Sequence, residues 1–208
     1  MDCSAAADMR LIVMDIDSTL INEEVIDLLG DAAGVGERVA RVTERAMCGE
    51  LDFKQALKER VALLAGLDIE VFDRTFSRVT FTPGAKELVA AAHARGWKVG
   101  VVSGGFHEVA DRIMAAVGID YCLANRLEVK DGKLTGRLAA EIVTKERKLE
   151  ALRTWAAELD IPMIQAAGVG IAFCAKPKTR AAAPFHIDER NLMLAMDTID
   201  RADATAGK

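Results

Sequence analysis

The sequence predicts an α/β protein built on an open parallel sheet, with a small helical cap inserted after the first strand. Apolar strand-like runs alternate with amphipathic segments along most of the chain, which is typical of parallel sheets with helical crossovers. A helical stretch, residues 22–80, interrupts this alternation directly after the first strand. An insertion at that point lies over the carboxyl ends of the strands, where open α/β sheets bind ligands. We therefore expect this segment to act as a lid.

Short, continuous apolar runs mark the predicted strands. The first lies within residues 10–19, RLIVMDIDST, in which four apolar residues precede alternating carboxylates. The second spans residues 98–102 and runs into Ser103-Gly104-Gly105. Residues 127–136, LEVKDGKLTG, predict a β-hairpin that turns at Asp131-Gly132. The remaining candidate strands are 121–124 and 168–173.

Helical periodicity marks the segments between the strands. The predicted helices outside the cap are 85–95, the stretch after the glycines to about residue 117, 145–159, and 189–200 with Asp188 as N-cap. Within the cap, residues 52–64 predict an amphipathic helix. The inward faces are predicted to carry Phe53, Ala56, Leu57 and Leu64 in the cap helix, and Leu149, Leu152, Ala156 and Leu159 in the later helix. This order of strands and helices favours a Rossmann-like sheet.

The composition is that of a globular protein, with 208 residues of which 51% are hydrophobic and 28% charged. The formal net charge is −5 and there is no basic run, so neither nucleic acid nor a membrane is expected as a partner. The four cysteines are scattered without a C-x-x-C pair, and the N-terminus lacks the pattern of a signal peptide. We expect a cytoplasmic monomer or homodimer with reduced thiols.

Asp15 and Asp17 supply two carboxylates at the carboxyl end of the first predicted strand. Such a pair can bind a hard cation and can divide nucleophilic and acid–base roles. The alternative is a pair of solvated acids in a loop, because the pattern D-x-D-x-T alone also arises by chance. The preceding apolar strand and the following cap favour the functional interpretation.

Ser103-Gly104-Gly105 lies where the second strand gives way to a helix. Free N–H groups, a hydroxyl and the helix dipole form an anion site at such a junction. A plain tight turn is the alternative, since glycine pairs are common in turns.

Four segments together resemble one family. MDIDSTLINEE, VVSGGF, ANRLEVKDGKLTG and AGVGIAFCAKPK are similar to the motifs of phosphoserine phosphatases of the haloacid dehalogenase (HAD) superfamily, in the same order. The likeness extends from about residue 10 to about residue 201. It implies a HAD-like catalytic core of residues 1–21 and 81–208 and a cap of residues 22–80. It further implies a Mg²⁺-dependent hydrolysis of L-phosphoserine to L-serine and phosphate, a step of serine biosynthesis.

The resemblance also implies roles for the residues of the core. Asp15 is implied to attack phosphorus and form an aspartyl-phosphate, while Asp17 protonates the leaving seryl oxygen and then activates water. The Asp15 side chain and the Asp17 backbone carbonyl match the family's Mg²⁺ ligands. Ser103 and Gly104 match its phosphate-binding residues.

A lysine is implied beside the phosphate, to offset the repulsion between two anions. Lys145 and Lys148 both lie near the Leu152 face of their predicted helix. Register within the family selects Lys148, and Lys145 is the alternative.

The cap is implied to select the substrate. Glu24 matches the acidic residue that pairs with the substrate ammonium, although Glu23 could replace it. Arg60 matches the arginine for the substrate carboxylate, and Met47 and Phe53 match the apolar shield. The sequence itself also places Arg60 on the apolar stripe of its helix, seven residues after Phe53, where a guanidinium calls for an anionic partner. The alternative is an arginine that extends to the helix edge.

The chain departs from the family at its fourth motif, a glycine–aspartate pair followed by a second aspartate. Here Asp160-Ile161-Pro162 runs directly into Met163, so roughly fifteen residues of the family pattern are missing by this resemblance. The loss removes an acidic ligand of the metal and one core strand. We expect residues 168–173 to move in beside residues 11–15, and Mg²⁺ binding and turnover to be impaired. A catalytically impaired variant, or a HAD phosphatase for another small phosphomonoester, are the rival interpretations.

Overall fold

A parallel sheet of three strands forms the centre of the molecule. The computed structural model describes residues 9–158 and 168–206. The strands lie in the order β1-β2-β3, and both pairings are parallel. Their bounds are β1 (Leu11–Met14), β2 (Lys98–Phe106) and β3 (Tyr121–Asn125). Because the strands are parallel, their carboxyl ends meet at one edge, and the predicted α/β arrangement is confirmed.

Helices surround this sheet and join its strands. Those between β1 and β3 are α1 (Val25–Ala32), α2 (Gly36–Met47), α3 (Phe53–Ala62), α4 (Val71–Phe76), α5 (Ala85–Ala94) and α6 (His107–Val117). After β3 comes α7 (Lys145–Glu158). Trp155 of α7 stacks on Tyr121, with ring centroids 5.3 Å apart. The Trp155 ring also lies so close to Gly100 that a Cβ there would be 2.8 Å from it, so glycine is needed where α7 covers the sheet.

Helices α1–α4 occupy the segment between β1 and α5, and two neighbouring chain crossings join it to the sheet. Ile21 and Phe81 form an isolated antiparallel bridge. The Asn22 N–H donates to the Thr80 carbonyl at 3.0 Å. The predicted division at residues 21/22 and 80/81 falls at these crossings, and the independence of the two parts stays a prediction.

A two-stranded hairpin follows β3, as predicted. It consists of β4 (Leu127–Lys130) and β5 (Lys133–Leu138). Asp131 and Gly132 both have positive φ, 51° and 74°, which a two-residue hairpin turn of this type requires.

The hairpin is hydrogen-bonded to the chain between α3 and α4. The Gly66 N–H donates to the Leu134 carbonyl at 2.8 Å, and the Leu134 N–H donates to the Leu67 carbonyl at 2.8 Å. A Cβ at Gly136, whose φ is 77°, would lie 2.9 Å from the Ala65 Cβ. The hairpin is therefore a second attachment between the cap segment and the rest of the chain.

The C-terminal part contains more structure than its sequence predicts. It consists of β6 (Ile171–Phe173), α8 (Pro177–Ala182), β7 (Phe185–Ile187) and α9 (Met193–Ala206). Proline at the first position of α8 accounts for its start, since proline lacks only an N–H that is unpaired there anyway. The last helix begins at residue 193 rather than 189, because residues 189–191 form a turn that precedes it.

The expected pairing of residues 168–173 with residues 11–15 is wrong. β6 instead pairs in parallel with β7, with Ile171 opposite Phe185, in a separate two-stranded sheet. A cavity of about 760 Å³ lies between β1 and β6, lined by residues of both strands and by Trp97 and Leu152. The short strand β7 supplies the backbone hydrogen bonds that β6 needs, so β6 has no requirement to reach β1.

The helix α7 deviates from its predicted inward face at one position. Ala156 is fully buried, whereas Leu149 is 47% exposed, and Leu152 lines the cavity beside β1. Leu159 lies outside the described residues. Among the helices that the structure describes, none combines the length and the apolar character that crossing a membrane demands.

Candidate active site

The chain turns sharply where β1 ends, and this turn presents two carboxylates. Asp15 caps the turn Ile16–Leu20 by accepting the Ile16 N–H through Oδ1 at 2.8 Å. Within the turn Asp17 is extended and Ser18 has a positive φ of 55°. The side-chain alternation of a β-strand therefore ends at Asp15. As a result, the side chains of Asp15 and Asp17 point toward different partners.

Lys148 reaches the first carboxylate. Its Nζ lies 2.6 Å from Asp15 Oδ2, and the two side chains are 27% and 44% exposed. The lysine stands on the first turn of α7, which packs across the sheet through Trp155. This position brings a cation to the end of β1 from a point 133 residues later in the chain.

Asp17 is buried and held by two donors. The Val25 N–H donates to its Oδ1 at 2.8 Å, and the Ser103 hydroxyl donates to its Oδ2 at 2.8 Å. Burial raises the pKa of Asp17 to about 6, although these two hydrogen bonds act to lower it. A carboxyl with a pKa in this range can both give and take a proton near neutral pH.

Ser103-Gly104-Gly105 forms a bulge at the end of β2. The register with β3 shifts between Val102 and Phe106, so the ladder is interrupted opposite these residues. Ser103 is 1% exposed, and its Oγ accepts the Gly105 N–H at 2.8 Å. A Cβ at residue 105 would lie 2.8 Å from Asp17 Oδ2. Glycine is therefore required there by the close approach of the aspartate.

The cap supplies the opposite wall of a cavity of about 770 Å³. Glu24, Phe53 and Arg60 line it together with Asp15, Asp17, Gly104 and Lys148. The Phe53 ring lies over Gly104, since a Cβ at Gly104 would be 3.4 Å from Phe53 Cζ. The cavity thus lies between the turn after β1, the β2 bulge and the start of α3.

Arg60 is half-buried among neutral hydrogen-bond partners. Its Nε donates to the Ala56 carbonyl at 3.3 Å, and one terminal nitrogen donates to Thr43 Oγ1 at 3.5 Å. Burial lowers the pKa of this guanidinium, while the carboxylates of Asp27 and Glu24 raise it. Within residues 9–158 and 168–206 it makes no salt bridge, which leaves its fork available to an anion in the cavity.

The residues of each pair of alternatives that the sequence leaves open lie in different surroundings. Glu24 lines the cavity and accepts the Ser18 hydroxyl at 2.7 Å. Glu23 instead binds the Thr80 N–H at 3.0 Å, at the crossing between cap and sheet. Lys145 also lines the cavity, but its side chain is 92% exposed and lies 3.7 Å from Glu146.

Met47 does not reach this cavity. It stands at the last position of α2, is 72% exposed and lines a separate depression with Thr43 and Cys48. Its assignment to an apolar shield stays a prediction, as do the roles of the other residues.

One residue of the site, Asn125, was not singled out from the sequence. Gly105 lines the cavity and belongs to the Ser103-Gly104-Gly105 run that the sequence analysis interprets as an anion site. Asn125 is 2% exposed at the end of β3, and its side chain bonds both Gly104 and Val143. In the sequence, Asn125 is marked only by being a polar residue at the end of a short predicted strand. The aspartates lie at the same edge of the sheet.

The donor set for a metal is short. Asp15 lines the cavity, but its Oδ1 accepts the Ile16 N–H and its Oδ2 pairs with Lys148, and both Asp17 oxygens also accept protein hydrogen bonds. In the part of the chain that the structure describes, the group of three clustered metal-ligating side chains is His107, Asp111 and Cys122, which does not line this cavity. Mg²⁺ is commonly held by one or two carboxylates with phosphate oxygens and water. The donors present fit a hard cation that is held weakly until a phosphate binds.

Known proteins resemble this chain over most of its length. A family model described as haloacid dehalogenase-like hydrolase matches residues 12–168. A phosphoserine phosphatase of Streptococcus thermophilus is 55% identical over 205 residues, covering 91% of this chain and 95% of that protein. One from Methanocaldococcus jannaschii is 42% identical over 198 residues, covering 88% and 94%.

Solved structures extend the likeness to three dimensions. A substrate-bound phosphoserine phosphatase complex superposes with a TM-score of 0.85 at 39% identity, covering 91% of this chain and 98% of that one. A phospho-aspartyl intermediate analogue of phosphoserine phosphatase superposes with a TM-score of 0.84 at 39% identity, covering 92% and 99%. The chain therefore belongs to the haloacid dehalogenase-like hydrolases and, within them, to the phosphoserine phosphatases, metal-dependent enzymes that act on a small-molecule phosphoester.

Proposed function

We propose that this chain hydrolyses L-phosphoserine to L-serine and phosphate through an aspartyl-phosphate on Asp15. The observation that carries the proposal is the contact of 2.6 Å between Lys148 Nζ and Asp15 Oδ2, in a cavity that Glu24 and Arg60 also line. A lysine there offsets the repulsion between a carboxylate nucleophile and an anionic phosphate.

The reaction has two steps that share one phosphorus atom. An Asp15 oxygen bonds to phosphorus as the bond from phosphorus to the seryl oxygen breaks, and that oxygen takes its proton from Asp17. A water molecule then gives a proton to Asp17 and attacks phosphorus, which breaks the bond to Asp15 and releases phosphate. The pKa of about 6 that burial gives Asp17 supports both directions of proton transfer.

The substrate's amino-acid part accounts for the two charged groups of the cap. The Arg60 guanidinium has neutral hydrogen-bond partners in the described chain, which suits it to a carboxylate. Glu24 offers a carboxylate to an ammonium on the same side of the cavity. A phosphomonoester without these groups would leave both charges unpaired, which disfavours it as the natural substrate.

Mg²⁺ is the cation we propose, with the Asp15 side chain and the Asp17 backbone carbonyl as its protein ligands. When bound, it supplies positive charge beside the phosphate. Its weak point is that the Asp15 carboxylate, the one side-chain ligand proposed, already accepts the Ile16 N–H and pairs with Lys148. This short donor set favours one second candidate, a catalytically impaired member of the same family. The cytoplasmic location and the monomeric or dimeric state stay predictions from the sequence.

Phosphate release from L-phosphoserine, with and without Mg²⁺, tests the proposal. We expect Mg²⁺-dependent release and a higher kcat/KM for L-phosphoserine than for p-nitrophenyl phosphate, which lacks the ammonium and carboxylate. A chain that binds phosphate but hydrolyses neither ester would support the impaired variant. Equal kcat/KM for both esters would point to another small phosphomonoester.

A further inference from the structure

The buried side chain of Asn125 joins two parts of the candidate active site. Asn125 is the last residue of β3 and is 2% exposed. Its Nδ2 donates to the Gly104 carbonyl at 2.8 Å, and its Oδ1 accepts the Val143 N–H at 2.8 Å. The amide thus uses a donor and an acceptor at once, on segments 21 and 18 residues away.

The first contact fixes the phosphate-binding bulge. The β2–β3 ladder is interrupted between Val102 and Phe106, so the Gly104 carbonyl lacks the ladder partner of an ordinary strand. Asn125 replaces that partner with a side-chain N–H. The Gly104 carbonyl and the Gly105 N–H belong to one planar peptide group, so holding the carbonyl also sets the direction of the N–H.

A chain of hydrogen bonds continues from that peptide group to Asp17. The Gly105 N–H donates to Ser103 Oγ at 2.8 Å, and the Ser103 hydroxyl donates to Asp17 Oδ2 at 2.8 Å. The peptide group and the Ser103 hydroxyl each accept on one side and donate on the other, and Asp17 accepts at the end, so the bonds reinforce each other in a buried setting. The orientation of the Ser103 hydroxyl therefore depends on Asn125 through one peptide group.

The second contact fixes the approach to α7. Val143 and Thr144 line the cavity directly before that helix, and the Thr144 carbonyl accepts the Lys148 N–H at 2.9 Å. Lys148 in turn lies 2.6 Å from Asp15. The Asn125 carbonyl oxygen thus restrains the segment from which the lysine is presented.

We propose that Asn125 is a positioning residue for phosphoryl transfer, which holds the β2 bulge and the start of α7 at a fixed separation around the phosphate. This inference rests on the proposed phosphatase function. Only an amide of this length supplies the donor and the acceptor together. Aspartate keeps the acceptor alone, and leucine, of similar shape, keeps neither.

The test compares Asn125→Asp and Asn125→Leu with the unaltered chain. Asn191→Asp is the matched control, because Asn191 makes the same kind of bond to a backbone N–H, that of Met193 at 3.1 Å, and does not line the cavity. We measure kcat and KM for L-phosphoserine and the dissociation constant of inorganic phosphate. Circular dichroism gives the folded fraction at each pH, and kcat is referred to that fraction.

We expect Asn125→Leu to lower kcat about 10- to 100-fold and to weaken phosphate binding, because misplacement by about 1 Å can cost 100-fold. For Asn125→Asp we expect a loss at pH 8 that shrinks at pH 5, where a protonated carboxyl regains the missing donor. A merely structural role would not produce this recovery. Asn191→Asp should keep kcat and phosphate affinity unchanged at both pH values.

Three results would overturn the proposal. One is a folded Asn125→Leu with ordinary kcat and phosphate affinity. Another is an Asn125→Asp defect of the same size at pH 5 and pH 8. The third is failure of both variants to fold at either pH, which would make Asn125 a residue of the core alone. If the unaltered chain hydrolyses no phosphoester, the proposed function fails, and the dissociation constant of inorganic phosphate alone decides the role of Asn125.

Discussion

The two edges of β1 differ in their backbone pairing within the part of the chain that the structure describes. On one side β2 pairs with β1 along its whole length, and the β2 bulge brings Ser103 to within 2.8 Å of Asp17. On the other side a cavity of about 760 Å³ separates β1 from β6, which pairs with β7 instead. The residues proposed to bind phosphate and to transfer protons lie on the paired side. The predicted missing strand and its acidic ligand belong to the open side, so chemistry and metal binding should respond differently to change.

The largest expected effect is that of Asp15→Asn, which removes the nucleophile while keeping the side-chain oxygen that caps the Ile16 N–H. We expect activity on L-phosphoserine to fall at least about 10³-fold, because an amide cannot form the acyl-phosphate. Trapping of phospho-enzyme with rapid acid quench provides the measurement. Substantial activity without a trapped phospho-enzyme would exclude Asp15 as the nucleophile.

The buried Asp17 carboxyl should make the free energy of unfolding depend on pH. The pKa of Asp17 is raised from 3.8 to about 6 by burial, so its protonated form favours folding at low pH. That contribution is lost as pH rises through about 6. Between pH 4 and pH 8 the unaltered chain should lose about 2 kcal/mol of unfolding free energy relative to Asp17→Asn.

Urea unfolding at several pH values measures this difference. Asp197→Asn, which alters an exposed carboxylate on α9, is the control and should follow the unaltered chain. Parallel curves for Asp17→Asn and the unaltered chain would show that Asp17 keeps an ordinary acidity in the fold.

The affinity for Mg²⁺ tests the side of β1 that faces the cavity between β1 and β6. We expect weak Mg²⁺ binding, improved about 10- to 100-fold when a segment of about fifteen residues that carries the family's glycine–aspartate motif, predicted to be missing here, is inserted between Pro162 and Met163. Calorimetric titration measures both affinities, and a glycine–serine insert of equal length is the control. Tight binding with ordinary turnover in the unaltered chain would mean that another acid, such as Asp160, replaces the missing ligand.

Arg60→Lys should raise KM for L-phosphoserine about tenfold and change KM for p-nitrophenyl phosphate little, since lysine keeps the charge but loses the planar fork. Steady-state kinetics on both esters decide this. Arg45→Lys is the matched control, because Arg45 is a cap arginine that pairs with Glu59 at the surface. Equal losses on both substrates would assign Arg60 to packing.

The smallest effect separates two adjacent glutamates. Glu24→Gln should raise KM for L-phosphoserine a few-fold, because the substrate ammonium loses a charged partner. Glu23→Gln should leave KM unchanged, since Glu23 binds Thr80 at the crossing between cap and sheet. Kinetics of the two variants side by side are the measurement, and a larger KM change for Glu23→Gln would reverse the assignment.

Linear motifs predicted the part of the site that follows strand ends. Asp15, Asp17 and Gly104 come together because parallel strands finish at one edge, whereas Lys148 was preferred to Lys145 by the family resemblance alone. Asn125 escaped prediction because its importance lies in two contacts with distant backbone groups, which no local pattern reveals.

The wrong pairing expected for residues 168–173 has a similar cause. The pairing of β6 with β7 depends on two strands of three residues each, too short to show a periodicity. The role of Met47 was assigned by resemblance alone and stays a prediction, and its exposure at the end of α2 depends on how that helix is oriented. In both cases tertiary packing decides what the local sequence leaves undetermined.

The hairpin described above changes how the lid can move. A cap attached to the core at one place can rotate freely about that attachment. A cap attached at two separate places can rotate only about the line that joins them. The cap is anchored at the crossings around Ile21 and Phe81 and again where Gly66 and Leu67 bond to Leu134. The start of α3 lies farthest along the helix from the second anchor, so Phe53 has the longest lever arm. We therefore expect the cavity to open by a small rotation of the cap that moves the Phe53 ring away from Gly104.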